Sequence, residues 1–254
     1  MISVQETRFM LDGVRQNIRN DGRNNGDLRS LQLRVGVSPT AFGSAKVIWG
    51  RNEVVVGVTC QLVKLPVVSG FAPVNISIFD AGQSQAHTHM ASVLTSLLLN
   101  TNIVPHAHER YRWQVHVDAC LLNVGGNLLD VVGLGINAAL RHCRLPHVIF
   151  TESENADWDF EVDDRPEAGH PLSNLDRLPV PVSCGTLGDH LCWDLTWEEE
   201  PASDCRITCA VVEDGHVMGM HTSGALMDLS LTSRIISRSV ENGVLLHKTI
   251  KESL

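Results

Sequence analysis

The sequence predicts an α+β fold made of two units, each a β-sheet with helices packed against it. Strand-like segments followed by a long helical segment occur in residues 1–150 and again, in shorter form, in residues 179–254. Between them, residues 151–178 are polar, acidic and weakly patterned, as expected of a connection. Sequence identity between the two halves is too low to establish a duplication.

The first unit is predicted to begin with a helix and a group of strands. In residues 3–18 the apolar side chains form a helical stripe that follows a plausible N-cap, Ser3. Four strands follow, of which the second and third are joined by a tight hairpin. They are expected at residues 31–37, 44–50, 52–62 and 74–79.

The remainder of the first unit alternates helix and strand. Apolar residues at i, i+4, i+7 and i+8 predict an amphipathic helix over 84–100. Residues 112–124 and 147–150 read as further strands.

A glycine-rich turn, "NVGGNLLD" at residues 123–130, precedes the most apolar helical segment of the chain. That segment, residues 128–143, is apolar nearly all round, which predicts a central buried helix, and Gly133 and Gly135 would permit close packing. A glycine turn that opens a helix often binds phosphate, because its backbone amides and the helix dipole meet there. The turn is therefore a candidate anion site.

The second unit is predicted to contain four strands and a closing helix. The strands are expected at residues 180–185, 191–197, 205–212 and 216–224. The helix, over 227–254, is expected to bury four apolar residues on one face. These are Leu229, Ile236, Val240 and Val244.

Charge is unevenly distributed along the chain, whose formal net charge is −9. Residues 1–150 carry 13 Lys and Arg against 9 Asp and Glu, whereas residues 151–214 carry 3 against 17. A free-standing nucleic-acid-binding protein is usually basic overall. If this chain meets RNA, contact is expected to be local or to involve basic partners.

Composition is that of an ordinary soluble globular protein, with 43% hydrophobic and 19% charged residues. No signal peptide is visible, and no apolar run has the length of a membrane span. The seven cysteines include no CxxC pair, which predicts reduced, mostly buried thiols in the cytosol or nucleus rather than a zinc site or disulfides.

Four segments together resemble the ribonuclease PH superfamily. They are "RNDGR" (19–23), "GSAKVIWGRNEVVVGV" (43–58), the long block at 112–140 and the closing segment at 214–247. The resemblance implies a fold of two sheet-and-helix units. The block "VDACLLNVGGNLLD" (117–130) looks more like a ring subunit of the eukaryotic RNA exosome than like an active enzyme of the superfamily.

Such a resemblance implies a place in a six-membered ring of three heterodimers, through which RNA is threaded toward a separate nuclease. The implied partners are other RNase PH-like subunits, cap subunits with RNA-binding domains, an associated exonuclease and RNA, with no membrane and no cofactor. Nucleus, nucleolus and cytoplasm are the implied locations.

The resemblance also bears on the glycine turn. In phosphorolytic members, the Gly-Gly pair is followed by Thr or Ser and then Arg, and these groups hold the attacking phosphate. Here Gly125 and Gly126 are followed by Asn127 and Leu128. We therefore expect a degenerate turn that binds no phosphate, with the glycines retained so that strand and helix can pack closely.

An acidic pair, Asp194 and Glu200, stands where phosphorolytic relatives carry the general acid and a second acidic group. A carboxylic acid could protonate the leaving oxygen in phosphodiester cleavage. Without a held nucleophile it has nothing to assist. The pair is expected to be vestigial, in a solvated acidic loop.

Candidate RNA contacts are few. The stretch after the first amphipathic helix, where RNA-binding relatives carry arginines, has none here, and the nearest candidates are Arg110 and Arg112. Contacts from Arg to phosphate need no base specificity. An ordinary exposed loop, or a salt bridge between subunits, is the alternative reading.

Two further features suggest other chemistry. Histidine pairs that look like metal ligands occur at His87 and His89 and in the "HAH" at 106–108. Side chains at i and i+2 on a helix point to different faces, so His87 and His89 cannot share one ion and no metal site is expected. Asp130, in the first turn of the buried helix, is expected to interact with the helix N-terminus rather than to act in catalysis.

Three functions remain open on the sequence. The first is a catalytically inert exosome ring subunit, and the second is a phosphate-dependent 3′→5′ exoribonuclease, acting alone or with a partner that donates an arginine. The third is an α+β domain with an unrelated binding role. Leu128, in the position of the phosphate-binding arginine, favours the first over the second.

Overall fold

The computed structural model describes most of the chain. The described residues are 3–65, 73–81, 87–98, 102–152, 158–163, 165, 168–224 and 229–254. Among these residues, no helix has the length and apolar character required to cross a membrane.

The first unit is built on a six-stranded sheet. Its strands are β1 (Leu31–Val35), β2 (Gly43–Trp49), β3 (Asn52–Lys64), β4 (Val74–Asp80), β5 (His106–His108) and β6 (Tyr111–Asn123). They lie in the order β1-β2-β3-β6-β4, with β5 on β6, and only β4 pairs in parallel. The hairpin between β2 and β3 and the four early strands are confirmed.

Three helices of the described residues belong to the first unit by their position in the chain. Helix α1 (Val4–Arg15) follows the N-cap Ser3, whose side chain accepts a hydrogen bond from Glu6 N in a capping box, and its Val14 packs against Leu187, Cys192 and Leu195 of the second unit. Helix α2 (Thr88–Leu98) lies within the predicted 84–100, of which 84–86 and 99–100 fall outside the described residues. Helix α3 (Leu128–His142) is the central helix, and its residues 130–140 are all buried.

The glycines of α3 explain its burial. A Cβ on Gly133 would lie 2.2 Å from Pro181 Cγ of the second unit, and one on Gly135 would lie 2.9 Å from Val56 Cγ2 of the first sheet. Helix α3 is therefore packed between the two units. Both glycines permit the close packing that the sequence predicted, and a single hydrophobic cluster runs through both units.

The acidic stretch between the units is more regular than its sequence suggests. Strand β7 (Arg144–Leu145) pairs with β10 (His170–Pro171), and β8 (His147–Glu152) pairs with β9 (Trp158–Asp163). Strands β9 and β10 thus lie within residues 151–178, the stretch predicted to connect the two units. Residues 153–157, 164 and 166–167 of that stretch are not among those described.

The second unit is a four-stranded antiparallel sheet and a long helix. The strands are β11 (Val180–Leu187), β12 (His190–Trp193), β13 (Cys205–Val211) and β14 (Val217–Gly224), in the order β12-β11-β13-β14. The strand predicted at 191–197 ends at Trp193, because Asp194 adopts a left-handed backbone with φ 52° and turns the chain.

Helix α4 (Leu229–Ser253) closes the fold, but its buried face differs from the predicted one. Val244 is 43% exposed, and Ile236 and Val240 are only partly buried. The side chain of Leu229 lies outside the described part of the chain. The face that packs on the second sheet is offset by one residue from the predicted face. Its buried residues are apolar, Ile235, Leu246 and Ile250, and polar, Ser239, Asn242 and His247.

Candidate functional site: the cleft at the glycine turn

The glycine turn joins β6 to α3 and is pressed against the loop of residues 194–200. Gly126 has φ 89°, and a Cβ there would lie 2.3 Å from Trp197 N. A Cβ on Gly125 would lie 2.6 Å from Arg51 Cβ. The glycines are therefore required by this loop and by Arg51, which corrects the expectation that they serve strand–helix packing.

Side chains from the first unit hold the backbone of the turn. Arg29 donates from Nη1 to Gly125 O over 2.6 Å and from Nη2 to Gly126 O over 3.0 Å. Asn52 donates to Gly126 O over 2.7 Å and accepts from Gly125 N over 2.6 Å. The carbonyl groups of Gly125 and Gly126 and the amide of Gly125 are thus engaged within the protein.

Asp194 lies at the centre of the site and is fully buried. Its carboxylate accepts six hydrogen bonds, three of them from Arg29. The others come from Arg23, from Trp49 Nε1 at 3.1 Å and from Asn127 Nδ2 at 3.0 Å. The expectation of a solvated acidic loop is therefore wrong for Asp194, because folding surrounds it with donors.

The charge state of Asp194 follows from those donors. Burial by itself would raise its pKa, but the hydrogen bonds and positive charge of Arg29 outweigh burial, so the pKa lies below its ordinary value. An ionised carboxylate with both oxygens engaged has no proton to give. The carboxylate therefore carries its negative charge within the protein, where it is paired with Arg29.

A second buried ion pair fixes the same loop. The guanidinium of Arg19 pairs with Glu199, and Nη1 donates to Trp193 O over 2.7 Å. Arg19 and Arg23 both come from "RNDGR", which the sequence analysis used only as one of the segments that resemble the family. Their role was missed because their partners lie more than 170 residues along the chain.

Asn127 and Asp130 extend the network into the second unit. Asn127 Nδ2 donates both to Asp194 Oδ1 and to Asp130 Oδ2, over 3.0 and 2.9 Å. Asp130 also accepts from Ser183 N over 2.7 Å and from Ser183 Oγ over 2.5 Å. Burial raises the pKa of Asp130 to about 7, although these hydrogen bonds oppose the rise. Asp130 therefore ties α3 to β11, in addition to any interaction with the helix N-terminus.

Glu200, the second member of the acidic pair, is partly buried beside an open cleft. Its Oε1 accepts from Asn127 N over 3.0 Å and from Arg206 Nη1 over 3.1 Å. The cleft has a volume of about 270 Å³ and is lined by both units. Leu128 lies in its wall, together with His89, Trp197, Arg206, Thr208, His221 and Ser223.

The histidines near α2 point to different partners. His87 Nε2 is 3.1 Å from Asp80 Oδ1, whereas the ring of His89 lies 6.4 Å from that of His221. Their predicted divergence is confirmed. In the described part of the chain, no three His, Cys, Asp or Glu side chains converge as metal ligands.

The candidate RNA contacts lie far from the cleft. Arg110 is in the turn between β5 and β6, and the exposed Arg112 follows at the start of β6. The glycine turn follows the other end of this 13-residue strand, about 40 Å away at the rise of an extended chain. The structure thus does not bring the arginines and the cleft together.

Family comparison agrees with the two-unit architecture. The model for domain 1 of the 3′ exoribonuclease family, RNase PH, matches residues 27–146, and the model for domain 2 matches residues 177–243. The chain belongs to this family. The glycine turn and Arg29 fall in domain 1, whereas Asp194, Glu200 and Arg206 fall in domain 2, so the cleft lies between the two family domains.

Individual relatives resemble nearly the whole chain. A Dictyostelium discoideum protein provisionally named exosome complex exonuclease RRP42 is 25% identical, and the match covers 99% of this chain and 98% of that protein. The exosome complex component Rrp42 of Pyrococcus furiosus is 28% identical over 85% of this chain and 81% of its own. A chain of the Archaeoglobus fulgidus exosome with RNA bound to the active site has 25% identity and a TM-score of 0.72, covering 96% of this chain and 97% of that chain.

Proposed function

We propose that this chain is a non-catalytic ring subunit of an RNA exosome, which supports 3′→5′ RNA processing and degradation by threading RNA to a separate nuclease. The exosome names of its relatives and its full-length match to an exosome chain support the assembly. Its partners would be other RNase PH-like subunits, cap subunits, an exonuclease and RNA. We expect it in the nucleus, nucleolus and cytoplasm, which imaging of the tagged protein would check.

One observation carries the non-catalytic assignment. The carboxylate of Asp194 is buried, ionised and engaged in six hydrogen bonds, while Leu128 lines the cleft where phosphorolytic relatives carry arginine. An acid in that state cannot protonate a leaving oxygen, and an alkyl side chain cannot hold phosphate. The cleft supports packing between the units rather than phosphorolysis.

The rival function, a phosphate-dependent exoribonuclease, would require two changes at the cleft. A partner subunit would have to donate an arginine, and Asp194 would have to leave Arg29 and Asn127 to bind a proton. Removing these contacts would leave a buried guanidinium without its charge partner, which costs several kcal/mol. The geometry therefore favours the structural role.

Apolar side chains left exposed on the isolated chain are consistent with assembly. Phe9 is 71% exposed and Trp197 is 60% exposed, and Met218 and Met220 are exposed along β14, an edge strand of the second sheet. Large exposed apolar residues and unpaired strand edges are typical of surfaces that other subunits cover.

Sedimentation with a partner tests the proposal. The chain alone should be poorly soluble or self-associated, and a phosphorolytic RNase PH-like subunit from the same organism should convert it to a 1:1 heterodimer. For lasting assembly, each ring interface should bury about 2,000 Å² or more. A well-behaved monomer that ignores every such partner would exclude the ring-subunit assignment.

A further inference from the structure

A carboxylate of the chain itself lies in the position where the cleft could hold an anion. Glu200 Oε1 accepts from the backbone amide of Asn127, which precedes α3, and from the guanidinium of Arg206 on β13. We propose that Glu200 is the resident anion of this cleft and that its carboxylate excludes free anions such as inorganic phosphate.

The two donors are of the kind that bind anions elsewhere. A backbone amide at a glycine turn before a helix, and an arginine, together recognise phosphate and carboxylate groups. They converge on one oxygen over 3.0 and 3.1 Å, from separate family domains. Since both are already directed at Glu200, a phosphate ion would have to displace its carboxylate to reach them.

The loop that delivers Glu200 is fixed from several sides. The Arg19–Glu199 ion pair is buried, Trp197 N donates to Gly125 O over 3.2 Å, and Glu200 N donates to Thr196 O over 3.0 Å. Glu200 itself opens a short 3-10 turn, Glu200–Ala202, in which Pro201 is the second residue. Glu200 is thus held over the turn by the fold and not by its own side chain alone.

Charge adds to this steric exclusion. The carboxylate of Glu200 repels an approaching anion and pairs with Arg206, whose side chain is 46% exposed. Without that carboxylate, the open cleft of about 270 Å³ would present Arg206, the Asn127 amide and the hydroxyl of Ser223 to solvent. Removal of Glu200 should therefore create an anion site.

The inference deepens the proposed function, since it explains why the cleft takes up no phosphate, but it is tested separately. It concerns phosphate binding by the full chain, whereas the proposed function concerns assembly with partners. A chain that assembles and yet gains no phosphate affinity on loss of Glu200 would overturn only the inference.

The experiment compares Glu200→Ala with the wild type and with Glu198→Gln. Glu198 is two residues away and its carboxylate pairs with the exposed Arg51, so it controls for loss of one negative charge in the same loop. Thermal unfolding is followed by tryptophan fluorescence in inorganic phosphate up to about 50 mM, against chloride of equal ionic strength. Glu200→Ala should bind phosphate at least tenfold more tightly than either control, and adding Arg206→Ala should abolish the gain.

Equal phosphate affinity in Glu200→Ala and the wild type would overturn the proposal, as would a gain that survives Arg206→Ala. Glu200→Gln, which keeps the size of the side chain and removes its charge, serves if the alanine variant does not fold. It too should gain affinity, by a smaller factor, because its amide still partly fills the site. A folded glutamine variant with wild-type affinity would count equally against the proposal.

Discussion

The side-chain amide of Asn127 donates to Asp194 Oδ1 over 3.0 Å, and both residues have a left-handed backbone, with φ of 56° and 52°. Asn and Asp adopt this conformation more readily than most residues other than glycine. Asn127 thereby ties the glycine turn to the loop of residues 194–200, and its second hydrogen bond, to Asp130, extends this connection to the start of α3.

Removal of the Asp194 carboxylate should destabilise the fold. In Asp194→Ala, the guanidinium of Arg29 is left buried without its partner, which costs roughly 3–5 kcal/mol. Asp194→Asn should cost less, because an amide oxygen still accepts some of the six hydrogen bonds. Urea denaturation measures both. A loss below about 1 kcal/mol in Asp194→Ala would contradict the assigned structural role.

The same carboxylate should contribute to acid denaturation. Its folded pKa lies below the unfolded value, so its stabilisation is present above the unfolded pKa and is lost as the pH falls through the folded pKa. The wild type should therefore lose stability below about pH 4, and Asp194→Asn should lose less over the same range. Parallel curves for the two proteins would contradict this.

Asp130 should change the pH dependence of stability in the opposite direction from Asp194, and at higher pH. Its pKa is about 7 in the fold and about 4 when unfolded, so between these values the folded state binds more protons and stability falls as the pH rises. Asp130→Asn should flatten the curve over pH 4–7, by about 4 kcal/mol at most.

The histidines require a matched comparison in that experiment. Burial lowers the pKa of His142 and of His247, so they make stability rise with pH near neutrality. Because both proteins contain them, the difference between the wild type and Asp130→Asn isolates Asp130. If the difference in unfolding free energy between the two proteins does not change with pH, Asp130 keeps an ordinary pKa.

Gly126→Ala should destabilise the protein more than Gly22→Ala. Both glycines have a left-handed backbone, with φ of 89° and 83°, so both substitutions carry a conformational cost of about 1–2 kcal/mol. Only at Gly126 does the added Cβ meet backbone, at 2.3 Å from Trp197 N, whereas nothing lies within 4 Å at Gly22. Denaturation midpoints measure the stability of the two variants. Equal losses of stability would contradict the contact between Gly126 and the loop of residues 194–200.

The purified chain should release no nucleoside diphosphates from single-stranded RNA with magnesium and phosphate. Asn127→Ser with Leu128→Arg, which restores the side chains of phosphorolytic relatives, should also fail, because Asp194 stays paired with Arg29. Chromatography of the products of labelled RNA measures whether nucleoside diphosphates are released. Phosphate-dependent release by the wild type that is lost in Asp194→Asn would refute the prediction.

Replacing Arg110 and Arg112 together by Glu should weaken RNA binding by the assembled ring. Each lost phosphate contact lowers the salt dependence of binding by a slope of about 0.7–0.9, so titrations at several salt concentrations give a clear readout. Arg8→Glu with Arg15→Glu, on the exposed side of α1, is the control of equal charge. Unchanged affinity and slope would remove Arg110 and Arg112 from the RNA path.

Local sequence patterns predicted most of the long elements of this fold. Alternation of apolar residues predicts β2, β3 and β6, and the apolar run after Gly126 predicts the buried α3, because these signals depend only on neighbours along the chain. The expectation that Asn127 and Leu128 stand in place of a phosphate-binding pair also comes from the sequence, because it depends only on residue type in a segment that resembles the family's motif.

Only the tertiary structure decided what the acidic loop does. "DLTWEEE" looks solvated because its side chains are charged, yet folding buries Asp194 among Arg23, Arg29 and Trp49. It likewise directs Glu200 at Arg206 and the amide of Asn127. Burial and ion pairing join residues as far as 180 positions apart, and no local pattern carries that information, because the cost of desolvating a charge is offset only by partners that the fold brings to it.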